Sequence, residues 1–450
     1  MTDAVLSDDF SPNARRPKRS HRVSRRAYLP PLAAVAVLLM AHFLFGAASP
    51  VSALFVSACL IAVALLTVLF AGPRFVTFGM VIGAGAVWAF AVTGAAGNLD
   101  RAAPMLAVMF AAGAIWSVGY VCARQRGALA IAWAGLIWSS LIYCIWTFFL
   151  HIGDALGTAQ VAASLSPEFD TPTSAAILFS LFALIASARI LHVVKMMDTE
   201  ALSNSAMIDR LFRDSLGGLL LFGFALTCLA LTGSRVGILL ITSLLLIQIW
   251  WDTRAITHRA HRSTFVRTVA GLAPFVGLAF AAWAIALGFV EDETVPRSLA
   301  HPEILPRAHR LEVYFNAWLE RPLFGHGLGS IERVRDHAMT LANAEALTAP
   351  GGAQNVVLHW LVEAGVAGSL VLAAAILVIH LGILRAFRTV TAPRTFLRLA
   401  IVASLLLLLH GLVDSSLDVP SLIWLYSLLL GAACGVAASR RRPTLEGRTG

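Results

Sequence analysis

Residues 215–251 read SLGGLLLFGFALTCLALTGSRVGILLITSLLLIQIWW. Two apolar runs, 215–232 and 236–251, meet at Thr232, Gly233, Ser234 and Arg235, where polar residues interrupt the hydrocarbon pattern. Runs of about 17–25 apolar residues are long enough to cross roughly 30 Å of hydrocarbon as helices, which satisfy every backbone polar group internally. Working outward, similar runs recur at 29–46, 51–71, 75–94, 103–122, 128–150 and 173–191 before this stretch. They recur at 268–290, 355–381, 397–414 and 420–438 after it. Hydrophobic residues make up 58% of the chain and charged residues only 13%, with a mean hydropathy of +0.78. A soluble domain carries about 25% charge. The sequence therefore predicts an all-α polytopic membrane protein of about twelve transmembrane helices. The first run passes almost directly into the second, so it reads as an uncleaved signal-anchor rather than a cleaved signal peptide.

Lys and Arg placement sets the orientation. With a cytoplasmic N-terminus, the segments expected outside hold Arg101, Arg235, Arg297, Arg307, Arg310, Arg321, Arg333 and Arg335. The other 26 of the 34 basic residues fall in or beside inside segments. That bias supports twelve spans with both ends in the cytoplasm. The net charge of +9 is thereby explained by topology and carries no nucleic-acid inference. The tails 1–27 and 439–450 lack apolar periodicity and read as disordered, and the basic half of the first should lie against anionic membrane lipids.

One long polar interruption, roughly Glu291 to Gly352, separates the ninth and tenth expected spans and falls on the periplasmic side. Polytopic proteins keep most connections short, so a loop of this length is expected to carry function. Within it, PRAHRLEVYFNAWLERP recurs at three-to-four spacing through Leu311, Tyr314, Phe315 and Trp318, which predicts an amphipathic helix on the membrane surface, apolar side down. Arg307 and Arg310 lie about one turn apart on it, and their planar charged forks suit a diphosphate. The competing reading is a lid whose arginines meet lipid phosphates. The turn PLFGHGLGS that follows could bring amides near an anion. His326, flanked by glycines, should be exposed and has no metal-binding partner at useful spacing. GGAQNVVLHWLVEAGVAG then returns to the membrane.

Other boundary residues stand out. Arg235 is costly at a span end unless paired or facing an aqueous cavity, although it could also snorkel to headgroups. HGLVDSSLDVP places His410, Asp414 and Asp418 at four-residue steps; the carboxylates could orient Arg235 or Arg310, or cap helices, and for Asp418 a cap is favoured. The five cysteines, Cys59, Cys122, Cys144, Cys228 and Cys434, sit in or beside apolar spans and show neither disulfide nor metal spacing. Gly-rich patches such as GMVIGAGAVWAF read as close helix packing. No nucleotide-binding glycine loop is visible, and no metal or cofactor is expected.

LTGSRVG, RLEVYFNAWLERPLFGHGLGSIE, QNVVLHWLVEAGVAG and HGLVDSSLDVP, in that order, resemble the O-antigen ligase and Wzy-type polymerase superfamily. The motif-bearing likeness covers about residues 215–438, with 28–214 matching only as hydrophobic spans. The resemblance implies a metal-independent glycosyltransferase of the bacterial inner membrane, its site facing the periplasm. Its substrate would be a glycan on undecaprenyl diphosphate, and its partners membrane lipids and a chain-length regulator. It implies catalytic roles for Arg235, Arg310 and Asp414, with Glu363, Gly365 and Gly368 matching an E-x-G-x-x-G re-entry. Arg307, His309, Gln354, Asn355 and Glu363 are candidate substrate-binding residues. One departure matters: the ligase branch begins its re-entry with a His-Asn pair whose His is the proposed base, and here the pair is Gln354 and Asn355. His359, about 140° round a helix from Gln354, is a poor substitute; packing is its simpler role. The substitution tilts the reading from ligase toward polymerase. A secondary transporter would show repeat symmetry, which is not visible here; a non-catalytic binder of lipid-linked glycan would use the same arginines.

Overall fold

The computed structural model describes residues 28–71, 99–125, 127–157, 165, 172–198, 204–257, 304–341, 343–344, 347, 352–389, 394–414 and 418–438. Every regular element among them is helical. The chain begins with α1 (Leu29–Phe43), a short 3-10 turn (Phe45–Ala47) and α2 (Pro50–Ala71). The helices α3 (Leu99–Arg124), α4 (Ala128–Gly157), α5 (Pro172–Asp198), α6 (Asn204–Leu231) and α7 (Arg235–Thr257) follow. Beyond them come α8 (Ile304–Glu320), α9 (Ile331–Ala338), α10 (Val356–Thr389), α11 (Arg394–Gly411) and α12 (Pro420–Ala438).

Among the described residues nine helices, α2 to α7 and α10 to α12, are long and apolar enough to cross a membrane. This is a multi-pass helical membrane protein. All but two of the expected runs coincide with helices; 75–94 and 268–290, with the GMVIGAGAVWAF patch, lie outside the described residues. The first run needs correction. Its helix stops at Phe43 because Gly46 takes a left-handed φ of 66° and turns the chain. Fifteen residues span only about 22 Å, short of the hydrocarbon thickness.

The most interior helix is α5: 83% of its apolar stretch is buried within the protein, against 39% for α2. Every side chain from Ala175 to Ala186 is fully buried. Packed against α5 are α4, α6, α7 and α11. A second seam joins α3 to α12. There a methyl added at Gly431 or Gly435 would collide with the carbonyl oxygen of Trp116 or Tyr120, so the backbones approach as only glycine allows. Trp424, fully buried, donates across the same seam to the Val108 carbonyl at 3.1 Å.

One end of the bundle is pinned by charge. Asp252 near the end of α7, fully buried, pairs with both Lys195 of α5 and Arg398 of α11. Lys195 also donates to Thr395 at 2.9 Å, and the Arg398 guanidinium lies 5.5 Å over Trp251. The end of α7 thus meets the start of α11. The opposite end therefore collects Arg235, the corner after α11 and the 304–355 segment.

Candidate functional site

The site is built on a break in α10. Gly365 adopts φ 63°, ψ −173°, a conformation essentially closed to other residues, and divides the helix into limbs 356–364 and 366–389. An unbroken apolar helix of 33 residues would measure about 50 Å, well beyond one hydrocarbon crossing. The break lets the second limb cross alone and holds the first at the loop end.

A helix break orphans backbone groups, and the glycine turn satisfies them. The amides of His326 and Gly327 donate to the carbonyls of Val362 (2.7 Å) and Glu363 (2.9 Å). In return Val366 and Ala367 donate to Pro322 (2.9 Å) and Leu323 (3.0 Å). Contact is so close that a Cβ on Gly325 or Gly365 would strike the opposing backbone. The turn is therefore a plug for the helix break. Amides of Gly325, His326, Gly327 and Ser330 already donate within the chain, which leaves them no role in an anion cradle. His326, expected to be exposed, is half-buried: its Nε2 stands 2.7 Å from the Ala317 carbonyl, and its own carbonyl accepts from Arg333.

The loop segment has its own small core of Tyr314, Ala317, Ile331, Val334, Leu358 and Val362 among others. That core reorients α8. Its apolar residues form two stripes: Leu311, Phe315 and Leu319 are exposed, whereas Tyr314 and Ala317 face inward. Tyr314 is thus not on a membrane-facing side as the spacing suggested. Arg310, one turn earlier, shares the inward stripe and is only 3% exposed. Burial pushes the Tyr314 hydroxyl above its ordinary pKa; the charges of Arg335 and Arg310 pull it down, and those of Asp336 and Asp418 push it up. Charged groups from α8, α9 and the α11–α12 corner are therefore felt at one phenol.

Deeper in stands His359, buried on the first limb of α10. Its Nδ1 lies 3.0 Å from Asp418 Oδ2, without the alignment of a full hydrogen bond, and its Nε2 lies 3.5 Å from Glu363 Oε1. Glu363 is itself buried, and its Oε2 has no hydrogen-bond partner among the described residues. Asp418, for which a helix cap was favoured, makes this contact across the corner instead.

Asn355 closes the entry to α10. Its Oδ1 accepts from the Val357 and Leu358 amides, both at 3.0 Å, as an N-cap does, and its Nδ2 donates to the Leu412 carbonyl at 2.9 Å. Gln354 before it is held at φ 49°, and its buried Oε1 has no hydrogen-bond partner among the described residues. Asp414 is buried with its Oδ2 3.9 Å from His410 Nδ1. Arg235 is exposed at the first position of α7, after Gly233 turns the chain at φ 65° and Ser234 accepts from the Gly237 amide. His309 is exposed and leans toward Glu312 at 3.7 Å. The side chain of Arg307 lies outside the described residues. Among the described residues no three His, Cys, Asp or Glu side chains are arranged to hold a metal ion.

Residues 220–373 match the family model for O-antigen ligase. The match supports a place in the O-antigen ligase and Wzy-type superfamily, whose members are glycosyltransferase-like enzymes acting on lipid-linked glycans at membranes. Comparison with curated proteins found no match. The matched region begins within α6 and ends just past the break in α10, so it includes Arg235, Arg310, Gln354 and Glu363. It stops short of Asp414 and Asp418. Sequence reasoning missed the charge contact between His359 and Asp418, whose partners lie on different elements. The four-residue step from His359 to Glu363 was the only local signal.

Proposed function

We propose that the protein is an inner-membrane glycosyltransferase that polymerises undecaprenyl-diphosphate-linked oligosaccharide repeat units. The observation that carries this is Arg310: a permanently charged guanidinium, nearly inaccessible, on the inward stripe of α8 and within the O-antigen ligase region. Displacing a lipid diphosphate builds negative charge on the leaving group. A fixed cation in a desolvated site stabilises that charge as it develops, with no reorganisation at the moment of reaction. Arg235, exposed at the same end of the bundle, supplies a second guanidinium, and Arg307 is a further candidate by sequence. Asp414 orients this end of the site.

Between α8 and the first limb of α10 runs an apolar groove of about 510 Å³, lined by Leu311, the residue after Arg310, and by Phe315, Val357, Leu358, Leu361 and Leu412. A polyprenyl chain fits such a surface, which supports a lipid-linked donor over a free sugar nucleotide. The bias of basic residues supports a periplasmic location for this end. In this reading residues 28–214 are a membrane scaffold, and 215–438, with the 291–352 loop, are the transferase.

Gln354 favours the polymerase reading over the ligase reading, because its amide cannot accept a proton at useful pH. Surface glycan from a deletion strain decides between them on one gel. Loss of the ladder with one repeat unit still attached supports polymerisation. Loss of all glycan from lipid A supports the ligase alternative. A binder or transporter leaves the donor linkage intact, so release of undecaprenyl diphosphate by the purified protein separates it from either enzyme.

A further inference from the structure

A hydroxyl that attacks a sugar must give up a proton, and most groups around Tyr314 are unsuited to take it. Arg310 stays charged, and Gln354 carries an amide. Burial holds the Tyr314 phenol in its protonated form. His309 is exposed beside Glu312, whose side chain lines the groove and not the small core around Tyr314, and Asp414 is enclosed beside His410. Asp418 differs. Its side chain is 30% exposed while its Oδ2 rests against the buried His359, which in turn leans on the still deeper Glu363. One carboxylate thus opens onto the site, backed by an imidazole and a second carboxylate.

We propose that Asp418 is the proton acceptor for the attacking hydroxyl, with His359 and Glu363 as positioning residues behind it. This rests on the glycosyltransferase reading above. In the step, the acceptor oxygen bonds to the anomeric carbon of the donor as its proton passes to Asp418 Oδ1. The bond from that carbon to the phosphate oxygen breaks, and its electron pair leaves with the lipid diphosphate. Asp418 then returns the proton to solvent. Glu363 has a specific part. When Asp418 becomes neutral, a lone buried imidazolium would be left uncompensated; paired with Glu363, the buried remainder stays neutral. Oδ2 rests against His359, so Oδ1 is the oxygen assigned to the substrate. The groove between α8 and α10 is lined in part by Leu412, six residues before Asp418 in the chain.

The test uses purified full-length protein in lipid vesicles and the lipid-linked glycan extracted from a deletion strain, with released lipid diphosphate as the readout. Asp418→Asn should slow release by roughly 10²–10⁴-fold and flatten the acid limb of the kcat/KM profile. Glu363 and His359 on α10, Arg310 and Tyr314 on α8, Arg335 and Asp336 on α9, and the His410–Asp414 pair also face this region. The limb is therefore ascribed to Asp418 only through its loss in that variant. Added formate, a small carboxylate, should restore part of the activity of Asp418→Ala and none of that of Arg310→Ala. His359→Gln should shift the limb while costing less in kcat. Asp418→Glu keeps a carboxylate and separates chemistry from folding: activity in Glu with little in Asn supports the proposal, and equal losses overturn it. An Asp418→Asn enzyme within tenfold of the parent, with its acid limb intact, also overturns it. If the parent protein releases no lipid diphosphate from the extract, glycosyl transfer itself is refuted. With an active parent and indifferent Asp418 variants, only the proton-acceptor assignment falls.

Discussion

Gly365→Ala tests the broken helix directly. At φ 63°, ψ −173° an alanine costs about 1–3 kcal/mol in backbone strain alone. Its methyl would collide with the Leu323 carbonyl, so the turn must move away. That movement strains the two bonds donated by Val366 and Ala367, at about 1 kcal/mol each. The total is about 3–5 kcal/mol, concentrated where α10 meets the 321–330 turn. Gly382→Ala is the matched control, because an added methyl there meets nothing within 4 Å and helix propensity favours Ala by up to about 1 kcal/mol. The assay is thermal unfolding in detergent, together with limited proteolysis of the turn. Gly365→Ala should lower the midpoint and open the turn to protease, and Gly382→Ala should do neither. If the two variants behave alike, α10 runs unbroken and the plugged break is wrong.

Arg310→Ala should abolish transfer, by roughly 10²–10³-fold or more, with near-normal protein level in the membrane; Lys should rescue only partly, because a point charge does not reproduce a planar fork, and activity retained in Ala favours a lipid-contact role. Gln354→Ala should cost at most about tenfold in rate, roughly 1.4 kcal/mol of barrier, when release of lipid diphosphate is timed, and Gln354→His should be tolerated. A loss as deep as that of Arg310→Ala would make the amide an indispensable substrate contact. Asp252→Ala leaves the buried Arg398 and the half-buried Lys195 uncompensated and should destabilise the bundle by about 3–5 kcal/mol, read as a lowered thermal midpoint, with Arg398→Met less damaging than the loss of the carboxylate.

Helix positions were legible because apolar run length is a local property, and the membrane sets the length required. The break in α10 was not. VEAGVAG is apolar enough to read as continuous helix, and the φ of Gly365 is fixed by a turn some 40 residues earlier in the chain. On α8 the spacing revealed an amphipathic helix but not which of two adjacent apolar stripes faces protein. The small core under Tyr314 decides that, and it is drawn from α9 and α10. The motif residues fared differently from one another. Arg310 and Glu363 are buried; Asn355 is occupied in capping α10, and Arg235 is exposed on another helix. Asp418 looked like a cap from its place before Pro420, and only tertiary structure brings it to His359.

The exchange of hydrogen bonds between the glycine turn and α10 also bears on how the chain is made. Until the turn is in place, the carbonyls of Val362 and Glu363 and the amides of Val366 and Ala367 have no partners in a broken helix. Each such group costs several kcal/mol in hydrocarbon. A nascent α10 that entered lipid first would escape this by straightening and sliding its first limb into the membrane, with His359 and Glu363 drawn along. Chain order works against that outcome, because the turn is synthesised about 40 residues before the break it plugs. The order of synthesis thus acts as a chaperone, and it binds the 321–330 turn to lie upstream of its helix whatever else is inserted between them.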